Sequence, residues 1–175
     1  GLDLFCHDEI FIKGDPKEKP YLQELTVLNS FSGLRDDLER ILVAGKLLQW
    51  VKKLANVSSP IPQIYSLLGQ MLALLEKENQ PQRLELLNLL FKLKLLAFIG
   101  LKPRMDSCVK CSNEAESGGG IFDYSHGGIL CFRCSPVRST TDPGFLSEDE
   151  KNFFYLAEDL KLTLWKDLRF PEGRL

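Results

Sequence analysis

Two cysteine pairs, Cys108-Val-Lys-Cys111 and Cys131-Phe-Arg-Cys134, are separated by the nineteen residues Ser112 to Leu130. No other feature limits the fold as strongly. Each C-x₂-C pair can wrap a tight backbone turn around one metal ion so that both sulfurs reach it without strain, and the spacing predicts a four-thiolate zinc site. A zinc ion with four thiolates has no open coordination position, so its expected role is structural. Such an ion contributes roughly 10–16 kcal/mol of apparent binding energy to local folding, more than the apolar content of a small ribbon supplies. Spacing alone leaves two alternatives open: a catalytic zinc that uses three cysteines and a water, and a rubredoxin-like iron in the same sulfurs. His126 lies between the pairs and could replace a cysteine. Since four sulfurs already satisfy the ion, it reads better as a turn residue.

The fifth cysteine, Cys6, has no evident partner, which argues against a disulfide framework and for a reducing compartment. Asp3, Asp8 and Glu9 stand where a signal peptide would carry a basic start and an apolar run. Leu86 to Leu101 is the most apolar stretch, but Asn88, Lys92 and Lys94 interrupt it and it is too short to span a bilayer comfortably. The expectation is a soluble cytoplasmic protein without membrane association. Its 175 residues, 44% of them hydrophobic, can fill a substantial core. Twenty-two basic residues against twenty-four acidic ones exclude nucleic-acid binding by overall charge, so any such surface must be local.

At the start of the chain, Leu2 to Ile12 alternates loosely, Lys13 to Pro20 is a polar turn-rich break, and Tyr21 to Leu28 reads as a second strand. A lone hairpin is marginal, which suggests a chain that starts partway through a β domain. From Asn29 the periodicity becomes helical, with Leu34, Leu38, Ile41, Leu42, Leu48, Val51 and Leu54 as the apolar set. Asp36 and Asp37 lie toward the helix start and the lysines toward its end, as the helix dipole favours. Asn56 to Pro62 separates this helix from a second over Gln63 to Lys77. The third helix, Leu84 to Ile99, is apolar around most of its circumference, with Glu85, Asn88 and Lys92 as a narrow polar stripe. It feeds through Gly100 and Pro103 almost directly into Cys108. Within the ribbon, Ile121 to Tyr124 and Gly128 to Leu130 read as short strands. Ser147 to Glu150 is a capping box for a last helix whose apolar face is Phe153, Ala157, Leu160, Leu164 and Leu168.

No nucleophile, base or phosphate-loop motif surrounds His7 or His126, Asp36 with Asp37 reads as a solvated pair, and Cys6 beside His7 as a half-buried strand cysteine. Between Leu86 and Thr140, seven bases face four acids. Four thiolates around a divalent ion remove most of that excess. Lys102, Arg104, Lys110, Arg133 and Arg138 could cluster around the ribbon and touch phosphates, or be plain solvated charges.

Gly33-Leu-Arg-Asp-Asp-Leu-Glu-Arg40, the helix exit Ala97-Phe-Ile-Gly-Leu-Lys-Pro103, and the run of Cys108, Cys111, Phe122, Gly127-Gly128, Cys131 and Cys134 resemble the RecO family of bacterial recombination mediators in kind and order. The resemblance covers about Leu2 to Leu168. It implies a mainly α protein with a small β part: residues 1–28 as the last strands of an OB-type barrel, and residues 29–175 as a helical domain with a zinc ribbon at 108–134. The implied metal ligands are Cys108, Cys111, Cys131 and Cys134. The implied role is non-enzymatic, in DNA repair and recombination in the bacterial cytoplasm, associated with the nucleoid. Such a protein binds single- and double-stranded DNA, anneals complementary strands, engages the acidic tail of single-stranded DNA-binding protein, and with RecR helps load RecA. An acidic tail calls for a hydrophobic groove with nearby cations. Arg35, Arg40, Lys46, Lys52 and Lys53 are candidates on the polar face of the first helical segment. The alternative is a zinc-stabilised helical interaction module without nucleic-acid contact.

Overall fold

The computed structural model of the chain describes residues 3–15, 19–54, 62–114, 118–135 and 141–171. The fold is mainly helical with small antiparallel sheets. It divides into two units, Gly1–Asn88 and Leu89–Leu175. No helix among the described residues is long and apolar enough to cross a membrane.

The first unit opens with the expected hairpin. Strands β1 (His7–Lys13) and β2 (Tyr21–Asn29) pair antiparallel from His7 opposite Asn29 to Lys13 opposite Tyr21. Register shifts fall between His7 and Asp8 and between Phe11 and Ile12. Ile10, Phe11, Ile12, Leu22 and Leu28 stay exposed, so this sheet buries little of its own apolar surface. Cys6 is half-buried just before β1, with its Sγ directed at the Ser30 carbonyl.

The helix expected from Asn29 onward starts later. Ser32–Asp36 forms a 3₁₀ turn, Asp37 is extended, and α1 runs over Leu38–Leu54. The Asp37 carboxylate accepts the Arg40 backbone N–H at 3.0 Å, so Asp37 caps the helix and is not merely a dipole partner. This break resets the helical phase. Leu38 and Leu42, expected in the apolar stripe, are exposed, and Val43, Ala44 and Leu47 are buried instead. Helix α2 spans Pro62–Leu75 and buries Ile64, Leu67, Met71 and Leu75. The separator expected at Asn56 to Pro62 lies outside the described residues except for Pro62, the first residue of α2.

Side chains from the turn before α3 hold this unit together. Glu76 accepts the Gly33 N–H at 2.9 Å. The Arg40 guanidinium donates to the Glu78 carbonyl at 2.8 Å, to the Gly33 carbonyl at 2.9 Å, and to Asn79. Glu78 Oε1 accepts the N–H groups of Asn79 and Gln80, and α3 (Pro81–Phe98) follows with proline in its first position. Both units contain part of α3. Its apolar residues are buried nearly all round, among them Leu84, Leu87, Leu90, Phe91, Leu93 and Leu95. The expected polar stripe turns inward at Asn88, which is buried and donates to Glu85 at 2.9 Å.

In the second unit the sheet order is β4-β3-β5, formed by Gly128–Leu130, Gly120–Asp123 and Phe145–Leu146. Helix α4 (Glu148–Asp159) begins with the expected capping box: Ser147 Oγ accepts the Glu150 N–H, and the Glu150 carboxylate accepts the Ser147 N–H at 2.7 Å. The helix does not continue to Leu168. Leu160 and Lys161 are extended, a 3₁₀ turn over Leu162–Asp167 follows, and Trp165 is buried while Leu164 is exposed. The large indole takes the buried position that a continuous helix would have given to Leu164.

Candidate metal centre

The ribbon is assembled on the hairpin β3–β4, paired Ile121 to Leu130, Phe122 to Ile129 and Asp123 to Gly128. Strand β4 leads directly into Cys131. On its free edge lies the segment after α3: the Arg104 N–H donates to the Gly127 carbonyl and the Arg104 carbonyl accepts from Ile129, both at 2.9 Å. Gly128 makes that approach feasible, because a Cβ there would stand 2.6 Å from the Arg104 carbonyl oxygen. Gly127 instead takes φ +64, a left-handed conformation that closes the turn. The glycine pair thus serves two different backbone needs.

The first knuckle is tied to the same strand, since the Val109 N–H donates to the Ile129 carbonyl at 3.0 Å. Within that knuckle Cys108 N–H donates to the Asn113 carbonyl at 2.8 Å and Ser112 N–H to the Cys108 carbonyl at 2.9 Å. In the second knuckle the N–H groups of Cys134 and Ser135 both donate to the Cys131 carbonyl at 3.0 Å. The two turns bring the four sulfurs within 4.8 Å of one another. Cys111 and Cys131 sulfurs stand 3.8 Å apart, and all four residues are free thiols. A tetrahedral ion with bonds of about 2.3 Å separates its sulfurs by about 3.8 Å, so this spacing suits a four-thiolate zinc.

Ionisation of the sulfurs points the same way. Burial, the largest single influence, raises the pKa of Cys108, but the backbone N–H groups of Cys131, Cys111 and Lys110 and a hydrogen bond with the Cys111 thiol together bring it down to about 6. Hydrogen bonds with Cys111 and Cys131, then burial and the charge of Cys108, push Cys134 up to about 12. Crowded thiols resist sharing negative charge. A divalent cation removes that resistance by favouring every thiolate at once. The residues present therefore fit a bound metal, and with four sulfurs around it the ion would fold and brace the ribbon.

His126 is not among these donors. It lies on the β3–β4 turn, with Nδ1 2.7 Å from Asp123 Oδ2, and Asp123 also accepts the Ser125 N–H at 2.9 Å. The hydrogen bond from His126, chiefly, holds the Asp123 carboxyl below its ordinary range. The sequence signal for this pair was an aspartate with a serine two residues on, then a histidine and a glycine, in a turn.

Of the basic residues expected around the ribbon, Lys110 and Arg133 occupy the same position in the two knuckles, each just before the second cysteine, and both are exposed. Arg104 is exposed on the segment beside β4, and Lys102 lies 3.7 Å from Asp159. Arg138 lies outside the described residues. The five cations of the first helical segment are dispersed in their roles. Arg35 donates to the Leu4 and Ser30 carbonyls, Arg40 to the three acceptors described above, and Lys46 pairs with Glu85. Lys53 lies 5.0 Å over the Trp50 ring, and Lys52 is exposed.

These features define a helical protein domain that carries a zinc-ribbon-type four-cysteine knuckle. The family model described as "Recombination protein O C terminal" matches residues 35–173, and the chain belongs to that family. It is 34% identical over 109 residues to a DNA repair protein RecO of Alkaliphilus metalliredigens, an alignment that covers 62% of this chain and 43% of that protein. The protein of the same name from Desulfatibacillum aliphaticivorans is 32% identical over 139 residues, 77% of this chain and 53% of the relative. That of Anaeromyxobacter dehalogenans is 34% identical over 122 residues, 70% and 47%. The chain thus spans about half the length of the curated relatives it matches.

Proposed function

We propose that this chain is the C-terminal part of a DNA repair and recombination mediator that acts by binding and not by catalysis. Family membership over residues 35–173 carries the proposal, together with relatives named as DNA repair proteins. In this reading the whole protein binds and anneals DNA and, with RecR, helps load RecA onto DNA coated by single-stranded DNA-binding protein, in the bacterial cytoplasm at the nucleoid. The hairpin β1–β2 ends an OB-type barrel whose other strands cover its exposed apolar residues. One zinc ion, held by Cys108, Cys111, Cys131 and Cys134, is structural. Lys102, Arg104, Lys110, Arg133 and Arg138 contribute contacts to phosphates.

The groove for the acidic tail lies along α1, with Arg35, Arg40, Lys46, Lys52 and Lys53 as its cations. Lys52 and Lys53 suit that role best, because Arg35, Arg40 and Lys46 already serve acceptors within the first unit. The deciding experiment uses the full-length protein with single-stranded DNA across a salt series. Phosphate contacts make affinity fall steeply as salt rises. Absence of binding at low salt would sink the DNA reading and favour an interaction module that touches only protein. Charge reversal at Arg35, Arg40, Lys46, Lys52 and Lys53 together should abolish binding of a tail peptide.

A further inference from the structure

The ribbon carries a cleft of about 540 Å³ whose lining joins the buried Ile121 and Leu130 to Lys110, Phe122, Tyr124 and His126. Unlike Ile121, the Phe122 ring is half-buried, and it lies beside the ring of Tyr124. The two rings meet edge to face, with centroids 5.1 Å apart at 71°. Tyr124 nevertheless remains 81% exposed, the most exposed of the chain's large apolar side chains among the described residues. A large ring held open to water this way needs an explanation other than stability.

The turn that presents Tyr124 is fixed. Asp123 accepts from the Ser125 N–H and from His126, and the Gly127 N–H closes the turn onto the Asp123 carbonyl at 2.8 Å. With its Nδ1 engaged by Asp123, the His126 ring has Nε2 left for a second partner, and the side chain is 69% exposed. Lys110 is exposed at the rim of the cleft and makes no ion pair among the described residues. Local charge is nearly balanced. Four thiolates with a divalent ion carry about −2, which Lys110 and Arg133 offset from the two knuckles, while His126 faces Asp123.

A rigid aromatic platform beside one available cation, without a strong net field, suits a flat polar ring linked to an anion. Resting on the DNA reading above, we propose that the Phe122–Tyr124 side of the ribbon is a single-stranded DNA subsite, in which one unpaired base stacks on Tyr124 and its phosphate meets Lys110. Duplex DNA offers no such base face, so the subsite selects single strands.

The test uses the full-length protein, a labelled oligothymidine and a second oligonucleotide bearing 5-iodouracil. Base–aromatic stacking is worth about 1–3 kcal/mol per base by alanine substitution, so Tyr124→Ala should weaken oligothymidine binding roughly 5- to 160-fold. Tyr124→Phe keeps the ring and should stay within about twofold. Ultraviolet crosslinks should map to Tyr124. The exposed position predicts unchanged metal content and thermal midpoint for both variants, which separates lost binding from lost folding. If the wild type binds while Tyr124→Ala binds equally well, or crosslinks map only elsewhere, the subsite is wrong and the DNA reading stands. Absence of any binding by the wild type at low salt overturns both.

Discussion

Gly128→Ala tests whether the close approach of Arg104 to β4 holds the ribbon in place. The new Cβ would meet the Arg104 carbonyl oxygen at 2.6 Å, Val109 Cγ1 at 2.6 Å and Arg104 Cβ at 2.9 Å. Val109 can rotate, but the carbonyl is backbone, so the segment must withdraw by about 0.8 Å to reach the 3.4 Å of ordinary contact. The two hydrogen bonds that join Arg104 to Gly127 and Ile129, now 2.9 Å each, would stretch to about 3.7 Å, beyond hydrogen-bonding range. At about 0.5–1.5 kcal/mol apiece, the loss is about 1–3 kcal/mol. Circular-dichroism melts should show a fall of at least about 2 °C for a chain of this length. Hydrogen exchange should accelerate at Ile129 and Arg104. Gly127→Asn is the control, because nothing lies within 4 Å of a Cβ there and asparagine tolerates left-handed φ. If Gly128→Ala melts with the wild type and keeps the Arg104 and Ile129 amides protected, the reasoning about this strand edge fails.

Removing the metal with a chelator, or Cys108→Ser or Cys131→Ser, should unfold the ribbon before it alters anything else. Elemental analysis would then show loss of the ion together with a lower thermal midpoint, and a variant that retains both would contradict the structural role. Arg40→Ala should destabilise by about 1.5–3 kcal/mol, since it strips a charged donor from the Gly33 and Glu78 carbonyls. Arg40→Lys should recover little of that in denaturant titrations, because an ammonium cannot match the fork. Asp123 has a depressed folded-state pKa, so its contribution to the turn is complete above the unfolded value of about 3.9 and is lost as pH falls through the lower folded value. The Ser125 amide resonance should therefore titrate below the ordinary aspartate range, and a midpoint at or above it would contradict the assignment.

Local chemistry that repeats at short spacing was legible in the sequence. The cysteine pairs, the β3–β4 hairpin, the capping box at Ser147 and the start of the second helix follow from neighbours a few residues apart, while the third helix begins at Pro81, three residues before the expected Leu84. The errors fell where one local choice resets everything after it. Asp37 turns extended and caps α1, which shifts the buried face to Val43, Ala44 and Leu47, leaves Ile41, Leu48, Val51 and Leu54 half-buried, and puts Leu38 and Leu42 in solvent. Leu160 breaks α4, and Trp165 wins a burial that periodicity had assigned to Leu164. Long-range polar pairings were invisible for a different reason. Arg40 with Glu78 and Gly33 with Glu76 join residues about forty positions apart, and one sequence carries no signal for which arginine meets which carbonyl.

Three unlike interactions fix the ribbon hairpin at three heights. Thiolates that suit a metal lie at its base, the backbone ladder with Arg104 runs along its middle, and the Asp123 carboxylate pins its tip. None of them uses the side chains of Lys110, Arg133 or Tyr124. The Lys110 and Tyr124 side chains therefore lie outside the three interactions that fix the hairpin, Tyr124 keeping only its edge contact with Phe122. A scaffold so fully determined by other groups can hold its recognition side chains rigid before any ligand arrives, which lowers the ordering cost of binding. If the proposed subsite binds DNA, a bound metal would affect recognition only through the backbone it braces, and substitutions at Lys110 or Tyr124 should change affinity without changing the fold.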